Sequence, residues 1–165
     1  TKNYEKLYMM RSKYGFFSEG IYSRKGNIIY TSDIFVKFIE TLIGNKKYNA
    51  LGRLTTTTLN QYNSLDKISI YYPLTYYSSI TQLFLILPYY LLKNYKTIIK
   101  FVQQSNTLFI SASSPLSIFL MYLFRKHKKD IILFIRQDTP RLIQAKNEKK
   151  SIAYLTALIL EQCIF

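Results

Sequence analysis

Cysteine is almost absent from this chain, and the absence removes whole classes of chemistry. Cys163 stands alone among 165 residues, so no disulfide framework and no cysteine-rich metal site can form within the chain. A reducing compartment suits such a sequence. Histidine is as scarce. His127 is the only one, and it lies in Arg125-Lys126-His127-Lys128-Lys129, which reads as a solvated helix end rather than a metal ligand. Acidic side chains number 9 against 23 Lys and Arg, too few for a paired general acid and base to be expected. There is no P-loop, no GxGxxG, no HExxH and no Gly-x-Ser-x-Gly elbow. No cofactor and no metal are therefore expected.

Other absences bear on organisation. No secretory leader opens the chain, no repeat recurs, and no Pro/Gly/Ser-rich linker divides it. Thr1 in place of an initiator Met, and the uncapped amphipathic run Ile152 to Phe165, are read as signs of a fragment. Tyr76 to Leu92 is rich in Leu, Ile and Tyr, yet Ser78, Ser79, Thr81 and Gln82 open it and Pro88 interrupts it. A spanning helix needs about 20 mainly apolar residues. A buried or membrane-surface helix is expected there instead.

What is present fits one globular domain over residues 1–165. Hydrophobic residues make up 48% of the chain, which argues against disorder, and the length suffices for a proper core. The formal net charge is +14. Such a charge favours phosphate-bearing partners: nucleic acid, anionic lipid, or a nucleotide or pyrophosphate substrate. Abundant Lys, Ile, Asn and Tyr also fit A/T-rich codons, so part of the charge has a compositional explanation.

Strand and helix signals alternate. Lys13 to Phe17 reads as a short strand, and Ser18 to Asn27, with Gly20 and Gly26, as a polar loop. Ser32 or Asp33 can cap a helix whose Ile34, Phe35, Phe38, Ile39, Leu42 and Ile43 recur at helical spacing, with Gly44 as its stop. Tyr48 to Leu54 reads as a strand with Arg53 at its end, and Lys67 to Tyr72 as another, closed by Pro73. Ser78 or Ser79 opens a long helix, bent at Pro88 and continuing in rhythm to Gln104. Thr107 to Ser111 and Ile131 to Arg136 are continuous apolar runs, the mark of strands buried on both faces. Between them Ser114 caps a helix, Pro115 fits its first position, and Arg125 to Lys129 complements its C-terminal dipole. The expected fold is α/β: a Rossmann-like three-layer arrangement with a mostly parallel sheet of about five or more strands.

Ligands of open parallel sheets bind outside the carboxyl ends of the strands. The polar residues in such places are Glu19, Arg53, Ser111, Ser113, Arg136, Gln137 and Asp138. Arg136 and Asp138 either pair with each other and cap the next segment, or meet a phosphate and orient a hydroxyl. Ser113 and Ser114 either cap their helix or, with its free N–H groups, receive an anion. Tyr71, Tyr72, Tyr76 and Tyr77 cluster at a strand end, where they pack the rim or offer rings to a sugar. The basic residues are scattered rather than striped with aromatics, so no nucleic acid is expected.

Three pieces of the chain resemble the N-terminal half of GT-B glycosyltransferases of the group 1, retaining type, which build bacterial surface polysaccharides. Gly26-Asn27-Ile28-Ile29-Tyr30-Thr31 before the Phe35–Ile43 helix is similar to their G-x-x-Y loop. Leu51-Gly52-Arg53 is similar to their second strand with its Gly-Arg end. Thr107 to Asp138 is similar to their strand, Pro-started helix and R-x-D exit. The double glycine of many first loops is absent, and Ser111 and Ser113 stand where many relatives have His. The resemblance implies an acceptor-binding half, with Arg136, Gln137, Asp138, Arg53 and Ser113 as cleft residues and no catalytic residue assigned. It implies a nucleotide-sugar donor held mainly by a further domain carrying paired glutamates, and a glycan or lipid-linked acceptor. The location implied is cytoplasmic, peripheral at the inner face of the cytoplasmic membrane, where the basic surface meets anionic lipid. The alternative is a non-enzymatic basic α/β module that binds an anionic partner, a membrane surface or nucleic acid.

Overall fold

The computed structural model describes residues 14–31, 33–55, 63–111 and 114–134. Among them the elements follow as β1 (Tyr14–Lys25), β2 (Ile28–Thr31), α1 (Ile34–Leu42), β3 (Tyr48–Thr55), β4 (Asn63–Leu65), β5 (Ile68–Leu74), α2 (Ile80–Gln104), β6 (Thr107–Ser111), α3 (Pro115–Lys126) and β7 (Asp130–Phe134). The fold is α/β. Five strands run parallel in the order β5-β3-β1-β6-β7. β2 pairs antiparallel with β1, and β4 antiparallel with β2, so the seven-stranded sheet is mixed, two antiparallel strands joining the parallel set.

The antiparallel pairing arises in Ser18 to Asn27, where a polar loop was expected. β1 instead continues to Lys25, and Gly26-Asn27 turns it back into β2. Gly26 has φ +60, and a Cβ added to it would meet nothing within 4 Å. Glycine serves here for its dihedral angle, at the first turn position where a type II′ hairpin needs positive φ. β6 pairs with Tyr14–Phe17 and β2 with Tyr22–Lys25. β2 thus takes over that side of β1 where β6 stops.

Strands flanked on both sides bury both faces, which is why Phe16 and Phe17 stand side by side. Phe17, Leu51, Leu108 and Ile110 pack with Leu83, Ile98 and Phe101 of α2 and with Leu120 and Phe124 of α3. Phe16, Ala50 and Phe109 face the other way and pack with Phe35, Val36 and Ile39 of α1. Each of the Phe, Leu, Ile and Val side chains among them contributes about 1.5–3 kcal/mol on burial.

The caps follow the sequence. Asp33 Oδ1 accepts from Phe35 N–H at 2.9 Å to start α1, and Gly44 at φ +63 follows its end. Ser79 accepts from Gln82 N–H to start α2, which continues through Pro88 as one helix. Ser114 accepts from Ser117 N–H to start α3, with Pro115 at its first position. Lys129, expected to serve its own helix's dipole, reaches instead to the end of α2. It donates to Ser105 O at 2.6 Å and also to Val102 O. Pro73 lies within β5, opposite Gly52, rather than closing it. Among the described residues β5 pairs only with β3, and an edge strand tolerates a residue without an N–H.

Candidate functional site

The sheet's carboxyl edge is shaped by an irregularity in β1. Along the β1–β3 ladder Phe17 pairs with Leu51 and Ile21 with Arg53, so four steps of β1 match two of β3. The surplus at Ser18, Glu19 and Gly20 arches out of the ladder, as bulges beside sites commonly do. Gly20 N–H donates to Ser18 Oγ at 3.4 Å. A Cβ on Gly20 would come within 2.8 Å of the Asp33 Cβ, so glycine lets the bulge lie against the start of α1. The chain goes from β1 outward to β3 and β5, then returns past β1 to β6 and β7. The bulge therefore lies where the order of parallel strands reverses, the ordinary ligand position in such sheets.

Glu19 is the charged side chain delivered there. Its Oε2 accepts from the Tyr77 phenol, and the Ser114 hydroxyl lies within reach of the same carboxyl, whose Oε1 is buried. Burial raises its pKa. The Ser114 hydroxyl, then the Tyr77 phenol, then the charge on Arg53 hold it partly down. Loss of solvent favours the neutral acid. The side chain can then donate as well as accept.

Arg53, at the end of β3, is committed to the backbone. Its Nε and Nη2 donate to Glu19 O at 3.2 and 2.8 Å, and Nη1 donates to Tyr77 O at 2.7 Å. Its guanidinium carbon lies 4.6 Å from the centroid of the Tyr77 ring and 6.0 Å from that of Tyr76. One cation thus ties the bulge of β1 to the loop after β5. That loop is fixed from behind by α2. The buried Asn94 Oδ1 accepts from Thr75 N–H at 3.0 Å, Tyr90 OH donates to Thr75 O at 2.9 Å, and the Tyr77 and Tyr90 rings meet edge-on at 5.4 Å.

Of the residues singled out in the sequence, Glu19 and Arg53 come together with Tyr77 and Ser114. Arg53 holds carbonyls rather than standing ready for a ligand. Ser111 is buried, and its carbonyl accepts from Ser117 Oγ at 3.2 Å. Ser113, Arg136, Gln137 and Asp138 lie outside the described residues. Of the four clustered tyrosines, Tyr76 is half exposed. Tyr71 OH donates to Gly52 O at 2.9 Å, Tyr72 OH donates to Gln104 Oε1, and Tyr77 is buried. The pairing of Tyr77 with Glu19 was not foreseen, because the two are 58 positions apart.

The described residues contain no group of three or more His, Cys, Asp or Glu placed to hold a metal ion, and no helix long and apolar enough to cross a membrane. No protein-family model matches the chain, and no curated protein or solved structure matches it either. The resemblance to GT-B enzymes therefore rests on the loop, strand and exit motifs of the chain itself.

Proposed function

We propose that the chain is the acceptor-binding half of a hexosyl-type GT-B glycosyltransferase, Rossmann-like in its five parallel strands, acting on a lipid-linked or surface glycan. The observation that carries this reading is the bulge of β1, which sets the Glu19 carboxyl against Tyr77, itself held by Arg53, at the point where strand order reverses. A neutral carboxyl at such a place exchanges hydrogen bonds with a sugar hydroxyl in both directions. Tyr76, half exposed beside Arg53, supplies an aromatic face on which a sugar ring can stack. Arg53 positions both by fixing the backbone of Glu19 and Tyr77. In this reading Arg136, Gln137 and Asp138, which come after β7 in the sequence, are further acceptor contacts, and the nucleotide-sugar donor sits mainly on a further domain. The work takes place on the cytoplasmic side.

The test is binding of a prenyl-pyrophosphate-linked sugar, together with transfer from a nucleotide sugar, measured on the whole gene product. Glu19→Ala is expected to weaken acceptor binding by about one to two decades, the worth of a hydrogen bond to a buried polar group. Glu19→Gln, which keeps a donor and an acceptor, should retain most of it. Acceptor binding unchanged by Glu19→Ala, or no binding of any such acceptor, would refute the reading.

A further inference from the structure

The first half of α2 is apolar on two opposite sides, and among the described residues only one is packed against the core. Leu83, Tyr90, Asn94, Ile98, Phe101 and Val102 face the sheet and are buried. Diametrically opposite, Leu85, Tyr89 and Leu92 recur at helical spacing along the solvent side. Leu85 and Leu92 are each 78% exposed and Tyr89 is 65% exposed. Phe84 and Tyr95 widen the strip on one flank and are also exposed. A helix apolar all round belongs in a core or against lipid, and for this half the core supplies one side only.

Beyond the strip come Lys93, Lys96 and Lys100, all exposed, and no Asp or Glu occurs anywhere in α2. Lysines beside an exposed apolar strip suit a helix lying in a bilayer interface. The rings and aliphatic chains enter the acyl boundary, and the ammonium groups rise to the headgroups. The charge pattern selects among occupants. A second copy of this chain would bring a second uncompensated set of lysines to the contact. A nucleic acid would satisfy the lysines and leave the leucines in water. An anionic lipid surface answers both features at once.

We infer that this face of α2 docks the protein on an anionic bilayer, independently of whether the chain binds a glycan acceptor. Docking is peripheral. The experiment is sedimentation with phosphatidylglycerol-rich vesicles against pure phosphatidylcholine vesicles, at low and high salt. The wild-type chain is compared with Leu85→Ser/Leu92→Ser and with Lys93→Glu/Lys96→Glu/Lys100→Glu. Far-ultraviolet circular dichroism confirms that each variant is folded. The expected result is salt-sensitive binding to the anionic vesicles alone. The lysine variant should lose roughly a hundredfold in affinity, about fivefold per lysine, and the leucine variant should also lose most of its binding.

The chain contains no tryptophan, so Leu85→Trp adds a single indole at an exposed position. Its emission should move to shorter wavelength when anionic vesicles are added, which keeps the proposal testable if a multiple variant fails to fold. Several outcomes would overturn it. They are a folded wild-type chain that ignores anionic vesicles, vesicle binding that neither variant weakens, and an indole whose emission stays fixed while the protein sediments. A dimer that the leucine variant dissociates without change in vesicle binding would overturn it in favour of a second copy. Tighter binding to a nucleic-acid duplex than to vesicles would do so in favour of a polyanion.

Discussion

Before its bulge, Tyr14–Phe17 of β1 lies between two parallel strands and under helices on both faces. After the bulge, Ile21–Ser23 keeps β3 on one side, while Tyr22–Lys25 has its own hairpin partner β2 on the other. The first stretch is held by apolar packing from segments distant in the chain. The second adds a local hairpin to its pairing with β3 and to the buried Tyr22, and Arg53 ties the bulge before it to the loop after β5. In the second stretch Tyr22 and Ser23 are buried and Arg24 and Lys25 are exposed. The bulge between the two stretches is what carries a glutamate to the edge of the sheet.

Three substitutions test this contrast. The largest effect is expected from Phe16→Ala. Phe16 is fully buried, with Phe35 and Tyr48 rings at 5.7 and 6.2 Å. The loss should be about 3–5 kcal/mol in denaturant unfolding. A loss no greater than that of an ordinary surface substitution would mean that the first stretch is not the anchor.

Arg53→Met comes next. It keeps most of the side-chain volume but leaves the carbonyls of Glu19 and Tyr77 without their donor, at a cost of about 1–3 kcal/mol. Hydrogen exchange should quicken at the amides of Ile21–Lys25 and Ile28–Thr31 while Tyr14–Phe17 stays protected. Uniform acceleration along β1 would show that the two stretches open as one unit.

The smallest change is a matter of pH. Because burial raises the Glu19 pKa above its ordinary 4.5, the folded chain holds that proton more tightly than the unfolded chain. The resulting stability is complete below about 4.5 and is lost as pH rises through the folded-state value. Glu19→Gln cannot titrate. The variant's stability should therefore gain on that of the wild type as pH is raised from about 4.5 through the folded-state value, and equal slopes in the two unfolding profiles would remove burial as the dominant influence.

What the sequence made legible was local. Asp33, Gly44, Ser79, Ser114 and Pro115 were readable because a cap or a first-turn proline acts on amides a few residues away. The apolar run of β6 was readable because burial on both faces leaves no alternation to misread, whereas β7, expected to be buried on both faces as well, is partly exposed, Ile132 being 40% exposed. The extension of β1 was not, since a polar strand owes its form to pairing that single-residue preferences do not encode. The site was legible in halves. Glu19 and Arg53 were marked as polar residues near strand ends, but the Tyr77 phenol meets Glu19 only through the fold. Nor could sequence show that Arg53 is occupied by carbonyls, because that depends on where the bulge turns its backbone.

Pro73 has a further consequence for self-association. Edge strands offer rows of free N–H and C=O groups on which another chain can add a strand, and so seed aggregates. β5 stands at one side of the parallel set with Pro73 near its end, and proline has no N–H to offer an incoming strand. The proline thus makes that margin a poor template for sheet growth and protects a strand carrying Ile68, Ile70, Tyr71 and Tyr72 from being copied by its neighbours.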